Sequence, residues 1–392
     1  MNFLYISPTF PKYYYNFCDA LKKKGITVLG IGDTPLEKMN QEMKDSFQEY
    51  QYLPSLENYD DLMKATAYFI YKYGRIDFIA SNIEYWLESE AKLRDDFNIA
   101  RGIRGEAIEE VKIKSVMKDL FIKEEIPTAP YEMVTTFRKA KTFAKHHHYP
   151  IILKPDNGMG AMHVHKIHNG KELAHFFGEI HDYDYIMEDY VDGIVETYDG
   201  LCNSKRDVLF DSSMIFPTPL MDIVNGQKTS VSIIQKDVPK DLRQLGQKIL
   251  RLFPSEGSFF HIECFRLKKD CAGYHKGDLV VSEVNMRLPG GHIPEVMNYI
   301  HHVDLYEMYA QMIQDDTTTQ KAQRDYYGVN VGRRNNGKYH YKSREIKYKY
   351  QDQLVMVEHV PAVLSDALGD TSYVAKFKTM QEVRSFINDC TK

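Results

Sequence analysis

Glu263, Glu283 and Asn285 are the side chains best placed to do chemistry together. They sit in two apolar, alternating stretches, "SFFHIECFRL" (258–267) and "LVVSEVNMRLPGG" (279–291), joined by the turn-rich "KKDCAGYHKGD". The midpoint of that connection is Gly273, so a hairpin symmetric about it sets Glu263 opposite Glu283. Directly opposed residues have Cβ atoms roughly 4.5–5.5 Å apart, and opposed like charges are destabilising unless something compensates them. Asn285 lies two residues on and shares the Glu283 face by strand periodicity. Two hard carboxylates and an amide oxygen on one face suit Mg²⁺ with positions left open for phosphate oxygens. Arg287, at the strand's end, suits a carboxylate or a transferring phosphate.

A second constellation is "ILKPDNGMGAMHV" (152–164). Lys154 ends an apolar strand, where a semi-buried ammonium needs an anionic partner. Gly158 and Gly160 follow and let backbone N–H groups approach a phosphate closely. The lysine precedes the glycines, and "MHVHKI" alternates like a strand, so this is not the loop-to-helix phosphate motif. A third piece is "YIMEDYVDGIVETYDGL" (185–201), an apolar strand that meets Glu188 and then turns. Exposed backbone groups there suit an adenine edge, and the carboxylate suits a ribose or a lysine. Taken alone, the stretch reads better as an ordinary acidic surface loop.

The elements that must position these residues follow from periodicity. The first 106 residues alternate strand and helix: "NFLYIS", "YYNFCDALKKKG", "ITVLGIG", "SLENYDDLMKATAYFIYKYG", "IDFIASN". That order predicts a small parallel, helix-flanked, Rossmann-like domain, with no GxGxxG for a dinucleotide. Glu84 lies just past the last strand's carboxyl edge, where open α/β sheets tend to bind ligands. A helix, "EAIEEVKIKSVMKDLFIKEE", opens a second unit at 107. We expect an α/β and α+β protein with four parts: 1–106 Rossmann-like, 107–185 carrying the Gly loop, 186–315 carrying the metal site, and 316–392 as a small C-terminal α+β lobe.

The order helix-lysine, strand-lysine with Gly loop, hinge glutamate, Glu, then Glu-x-Asn-x-Arg resembles the ATP-grasp superfamily over about 107–310. Within it, "HIE" (261–263), "YVDGIVETYDGL" and "EVNMRLPGGHIPEV" resemble the carboxylate–amine ligases, the L-amino-acid (dipeptide) ligases in particular. D-alanine–D-alanine ligases usually carry an arginine where this chain has His261. Biotin carboxylases usually continue into Gln-Val-Glu-His where this chain has Leu-Pro-Gly-Gly. His302 stands where the ligase pattern has glycine.

The resemblance implies a set of roles. Lys114 and Lys154 contact the ATP phosphates, and Gly158–Gly160 cover them. Glu188 and the backbone near Val191 hold the adenine side, with Glu196 as a ribose candidate. Glu263, Glu283 and Asn285 bind Mg²⁺ or Mn²⁺. ATP would convert a carboxylate into an acyl phosphate, an amine would attack it, and Arg287 would hold the acceptor carboxylate or the tetrahedral intermediate. Lys154 and Arg287 are thus the expected catalytic side chains. Two alternatives stay open: a carboxyphosphate-forming relative of carbamoyl phosphate synthetases or carboxylases, and a non-catalytic nucleotide-binding module. Substrate contacts are expected from "IEYW" (83–86), "FPTPLMDIVNGQKTS" (216–230) and the segment after Arg287.

Composition sets the outer limits. A net charge of −5 with 27% charged residues argues against a nucleic-acid binder that relies on a general basic field. The basic stretch 329–350 reads as a solvated surface lobe. No apolar run approaches the roughly 18–20 residues of a membrane span, and the first residues do not form a signal peptide. Five scattered cysteines (18, 202, 264, 271 and 390) fit a reduced, cytoplasmic protein. His146–His148 end an amphipathic helix, where histidines suit the helix dipole. The expected partners are a small carboxylate and an amine, with no nucleic acid and no membrane. A homodimer is compatible.

Overall fold

Strand alternation sorts the N-terminal residues onto two faces, each covered by its own helix. The computed structural model describes residues 1–158, 163–218, 223 and 228–392. Strands β1 (Asn2–Ile6), β2 (Thr27–Gly32), β3 (Glu49–Tyr52) and β4 (Phe78–Ala80) form a parallel sheet in the order β3-β2-β1-β4. Phe3, Tyr5 and Val28 point to helix Tyr15–Lys23, while Leu4, Ile6, Leu29 and Ile31 point to helix Tyr59–Tyr73. β3 escapes a sequence reading because "EYQY" is a short, half-exposed edge strand.

The second sheet holds β5 (Tyr131–Met133), β6 (Ile151–Pro155), β7 (His165–Ile167) and β8 (Tyr185–Asp189), in the antiparallel order β5-β8-β6-β7. One face buries Ile151, Leu153 and Met187 under helices Phe137–His147 and Gly170–Phe176. β8, which carries Glu188, lies between β5 and β6 in this sheet.

The third sheet has eight strands among the described residues, in the order β13-β12-β9-β10-β11-β14-β16-β15. They are β9 (Gly193–Cys202), β10 (Val208–Phe216), β11 (Ser230–Ile234), β12 (Phe259–Leu267), β13 (Leu279–Asn285), β14 (Tyr327–Arg333), β15 (Leu354–His359) and β16 (Thr371–Phe377). β11 pairs with β14, so the C-terminal strands continue this sheet. The basic stretch is correspondingly only partly solvated. Arg333 is buried, with its guanidinium over the Tyr339 ring.

Aromatic packing ties the first sheet to the third. Phe17 meets Tyr306 edge-on at 4.6 Å, and Phe259 stacks on Tyr309 at 5.3 Å. Tyr306 and Tyr309 lie on helix Leu305–Asp315, capped at its start by Asp304. The preceding helix, Ile293–His301, ends with His302 at φ 50°, ψ 48°. This left-handed position is one where glycine is the usual residue. Among the described residues, no helix is long and apolar enough to cross a membrane.

Candidate active site

Hydrogen-bonded register lays the polar residues out in rows. On one face of the third sheet, Asp199, His261 and Asn285 align across β9, β12 and β13. The next row is Thr197, Glu263 and Glu283, and beyond it come Val195, Phe265 and Val280. The face therefore grades from apolar to charged over three rows.

Glu263 does lie opposite Glu283, but the hairpin is not symmetric about Gly273. Near the turn Arg266 pairs with Leu279 and Cys264 with Val281, a centre half a residue earlier. A bulge takes up Ser282 and restores the expected pairing at Glu263. An unbulged ladder of the same length would put Ser282 opposite Glu263 and turn Glu283 to the other face.

The opposed carboxylates take different neighbours. Glu263 Oε1 lies 3.0 Å from His261 Nε2, and His261 Nδ1 lies 2.5 Å from Asp199 Oδ1. Burial opposes a charge on this imidazole, yet the two carboxylates raise its pKa to about 9. His261 is thus an imidazolium that donates to both. Burial raises the Glu283 carboxyl, Lys114 partly offsets this, and Glu84 and Glu263 add to the rise. Lys114 Nζ stands 3.6 Å from Glu283 Oε1.

The residues present fit a divalent cation. Asn285 is 1% exposed, and its Oδ1 has no hydrogen-bond partner among the described residues. A buried acceptor left unmet is costly, and a metal beside Glu263 and Glu283 would satisfy it. Among the described residues no group of three His, Cys, Asp or Glu is arranged for a metal. The third donor here is an amide.

Lysines face this row from the second sheet and the helix before it. The expected continuous helix over 106–125 is broken. A 3-10 stretch, Gly105–Val111, is followed by extended Ile113 (φ −96°, ψ 115°), which bridges Asn157, and the α-helix then starts at Lys114. Asp156 holds that start by accepting from Ser115 N and Oγ, both at 2.7 Å. Lys114 Nζ donates to the Gly158 carbonyl at 2.7 Å. Glu188 accepts from Lys154 at 2.7 Å and from Lys118 at 2.9 Å. Burial pushes the Glu188 carboxyl up, but the two ammoniums outweigh it and hold the pKa at about 2.

Arg287 reaches across to the N-terminal domain. Its Nε donates to Glu84 Oε2 at 3.0 Å, its Nη2 donates to the same oxygen, and its Nη1 donates to the Leu288 carbonyl at 2.8 Å. Lys114, Lys154, Glu188, Glu263, Glu283, Asn285 and Arg287 line one cavity of about 380 Å³, with Gly158 and Val191 on its wall.

The whole chain superposes on enzymes of known structure that share this fold. An L-amino acid ligase from Bacillus licheniformis matches with a TM-score of 0.74, covering 99% of this chain and 96% of that one at 14% identity. N5-carboxyaminoimidazole synthetase from Staphylococcus aureus, solved with ADP, matches at 0.73 over 100% and 97% at 13% identity. The chain has the ATP-grasp fold. By sequence it is similar to an L-arginine-specific L-amino acid ligase from Bacillus subtilis, 26% identical over 259 residues. That match takes in 63% of this chain and 60% of the relative's length. No protein-family model matches the chain.

Within this ATP-grasp fold, one expected site residue stands elsewhere. Glu196 does not line the cavity. Strand alternation turns it to the opposite face of β9, where it accepts from Arg266 Nε at 2.6 Å and Gln235 Nε2 at 2.8 Å. Gly160 and most of 216–230 lie outside the described residues.

Two site residues escape a sequence reading. Lys118 lies one helical turn after Lys114, and that i,i+4 spacing was the available signal. Asp199 lies in a stretch already singled out, but its partner His261 is 62 residues away. Glu84 was seen at a strand edge without its arginine.

Proposed function

We propose that the chain is an ATP- and Mg²⁺-dependent ligase that joins a small carboxylate to an amine through an acyl phosphate, releasing ADP. Amino acids or small peptides are the substrates. The observation that carries this reading is the unmet Asn285 Oδ1 beside the opposed Glu263 and Glu283, facing lysines across one cavity. Paired carboxylates around an unmet amide oxygen are costly in a passive binding module and useful where phosphate charge must be neutralised.

Mg²⁺, or Mn²⁺, held by Glu263, Glu283 and Asn285 would neutralise charge on the phosphate oxygens. His261, fixed by Asp199, orients the Glu263 carboxylate. Lys114 and Lys154 add positive charge opposite that pair, as electrostatic stabilisation of a developing anion requires. The Gly158 backbone covers the phosphates. Glu188 neutralises Lys118 and holds Lys154 in place on the adenine side, near Val191. Val195, Phe265 and Val280 give a base an apolar floor. Arg287, steadied by Glu84, offers a guanidinium to a substrate carboxylate. No side-chain nucleophile is needed, and four of the five cysteines are buried.

The test is a screen of paired carboxylates and amines with Mg-ATP, reading ADP, phosphate and product mass. ADP formation that needs both partners and yields a C–N-linked product is the expected result. AMP as the stoichiometric product, or bicarbonate-driven turnover that ignores the amine, overturns it. The arginine in the name of the Bacillus subtilis relative belongs in the panel.

A further inference from the structure

The cavity changes character beyond Arg287. Its charged groups gather at the end formed by the second sheet and the β12–β13 hairpin. Its lining also includes Pro289, Gly291 and Ile293 from one segment and Leu364, Ala367 and Leu368 from helix Ala362–Leu368, with Gly291 lying against the Leu368 side chain. None of these six residues carries a charge.

The helix is fixed to the sheet by close backbone approach. A Cβ built on Gly332, in β14, would fall 1.6 Å from the Leu368 carbonyl oxygen, so no larger residue fits without moving the helix. Gly369 follows with φ 80°, and a Cβ there would lie 2.6 Å from the Gly332 carbonyl. Arg334 donates to the carbonyls of Ser365 (3.1 Å) and Asp366 (2.7 Å), and Asp370 N donates to the Arg333 carbonyl at 2.8 Å. Leu364 and Leu368 are half-buried towards the cavity, while Val363 on the same helix is 76% exposed.

We propose that this helix and the 289–293 segment form the side-chain pocket for the carboxylate substrate, and that the pocket selects an amino acid with an apolar side chain. The proposal rests on the ligase reading above. With its carboxylate beside Arg287, an amino acid directs its side chain onto Leu364, Leu368 and Ile293. A cationic side chain would lose its hydration against these apolar groups. An apolar one gains burial, and each methylene that fits discriminates by about 10–200-fold in kcat/KM.

The experiment offers all twenty amino acids in pairs with Mg-ATP to the full chain and identifies the N-terminal residue of each product by mass. That residue is the carboxylate donor. Aliphatic, methionyl and aromatic donors should dominate. Leu368→Glu should shift preference towards lysine and arginine donors by about tenfold or more with the KM for ATP unchanged, and Val363→Glu should shift nothing. Should Leu368→Glu fail to fold, Leu364→Ala should widen the pocket and favour larger aromatic donors. A wild-type preference for charged donors, or a preference unmoved by either cavity-facing substitution, overturns the pocket while leaving the ligase reading intact. ADP formation driven by bicarbonate without any amino-acid donor removes the ligase reading, and the pocket falls with it.

Discussion

Lys154 and Lys118 share one carboxylate, yet they are not equivalent. Lys154→Met leaves Glu188 paired with Lys118, so we expect the fold to persist. Losing a charge-assisted phosphate contact should cost on the order of 2–4 kcal/mol in the transition state. Steady-state kinetics with circular dichroism checks this, and near wild-type turnover would make the lysine a passive partner of Glu188. Lys118 is 1% exposed and also donates to Thr128 Oγ1 (3.0 Å) and the Ala129 carbonyl (3.1 Å). Lys118→Met should therefore act on stability, by roughly 3–5 kcal/mol as for a broken buried pair, read by urea melts. His301 supplies a pH dependence. Its ring is fully buried, with Nε2 2.9 Å from Ser212 Oγ, and burial lowers its pKa from 6.5 to about 4. Between those values the unfolded chain binds a proton that the folded chain refuses, so stability is present above pH 6.5 and lost as pH falls towards 4. The full loss is roughly 3 kcal/mol, and it should be absent from His301→Gln when both proteins are melted at pH 7 and pH 4.5.

At the scale of the element, the β12–β13 hairpin brings two carboxylates into register. It was predictable that the two strands pair and that Asn285 follows Glu283 on one face, since both follow from period-2 alternation. Symmetry about Gly273 gave the right opposition for an incomplete reason, because the Ser282 bulge compensates an offset at the turn. The pair repels without metal, with Lys114 near Glu283 as partial relief. Glu283→Gln should therefore melt no lower than wild type without ligand and should lose most of the rise in Tm that Mg-ADP gives wild type, because ligand that binds only the native state stabilises it. It should also raise the Mg²⁺ needed for turnover. Melting curves with and without Mg-ADP and a Mg²⁺ titration check both. An unchanged Mg²⁺ requirement would remove Glu283 from the metal site.

Across the whole molecule, Arg287 and Glu84 connect residues 203 positions apart and tie the N-terminal sheet to the hairpin. Glu84→Ala leaves a partly buried guanidinium without its carboxylate and should cost up to roughly 3 kcal/mol, with Glu84→Ala/Arg287→Met recovering part of it, since removing both charges is cheaper than stranding one. A double-mutant cycle by urea denaturation measures the coupling. The sequence by itself determined the elements and their faces: the alternating strands, Lys154 at a strand end, the Glu-x-Asn-x-Arg order and the family resemblance they carry. Those features are written in local periodicity and spacing, because the chain repeats every two residues in a strand and every 3.6 in a helix. Only the tertiary structure decided the partners. It set β12 between β9 and β13, which brings Asp199 to His261, and it turned Glu196 away from the cavity. It carried Lys118 to Glu188, Arg287 to Glu84, and helix Ala362–Leu368 to the wall of the cavity. Each of these depends on strand order and on packing between distant segments, which no local pattern of residue types encodes.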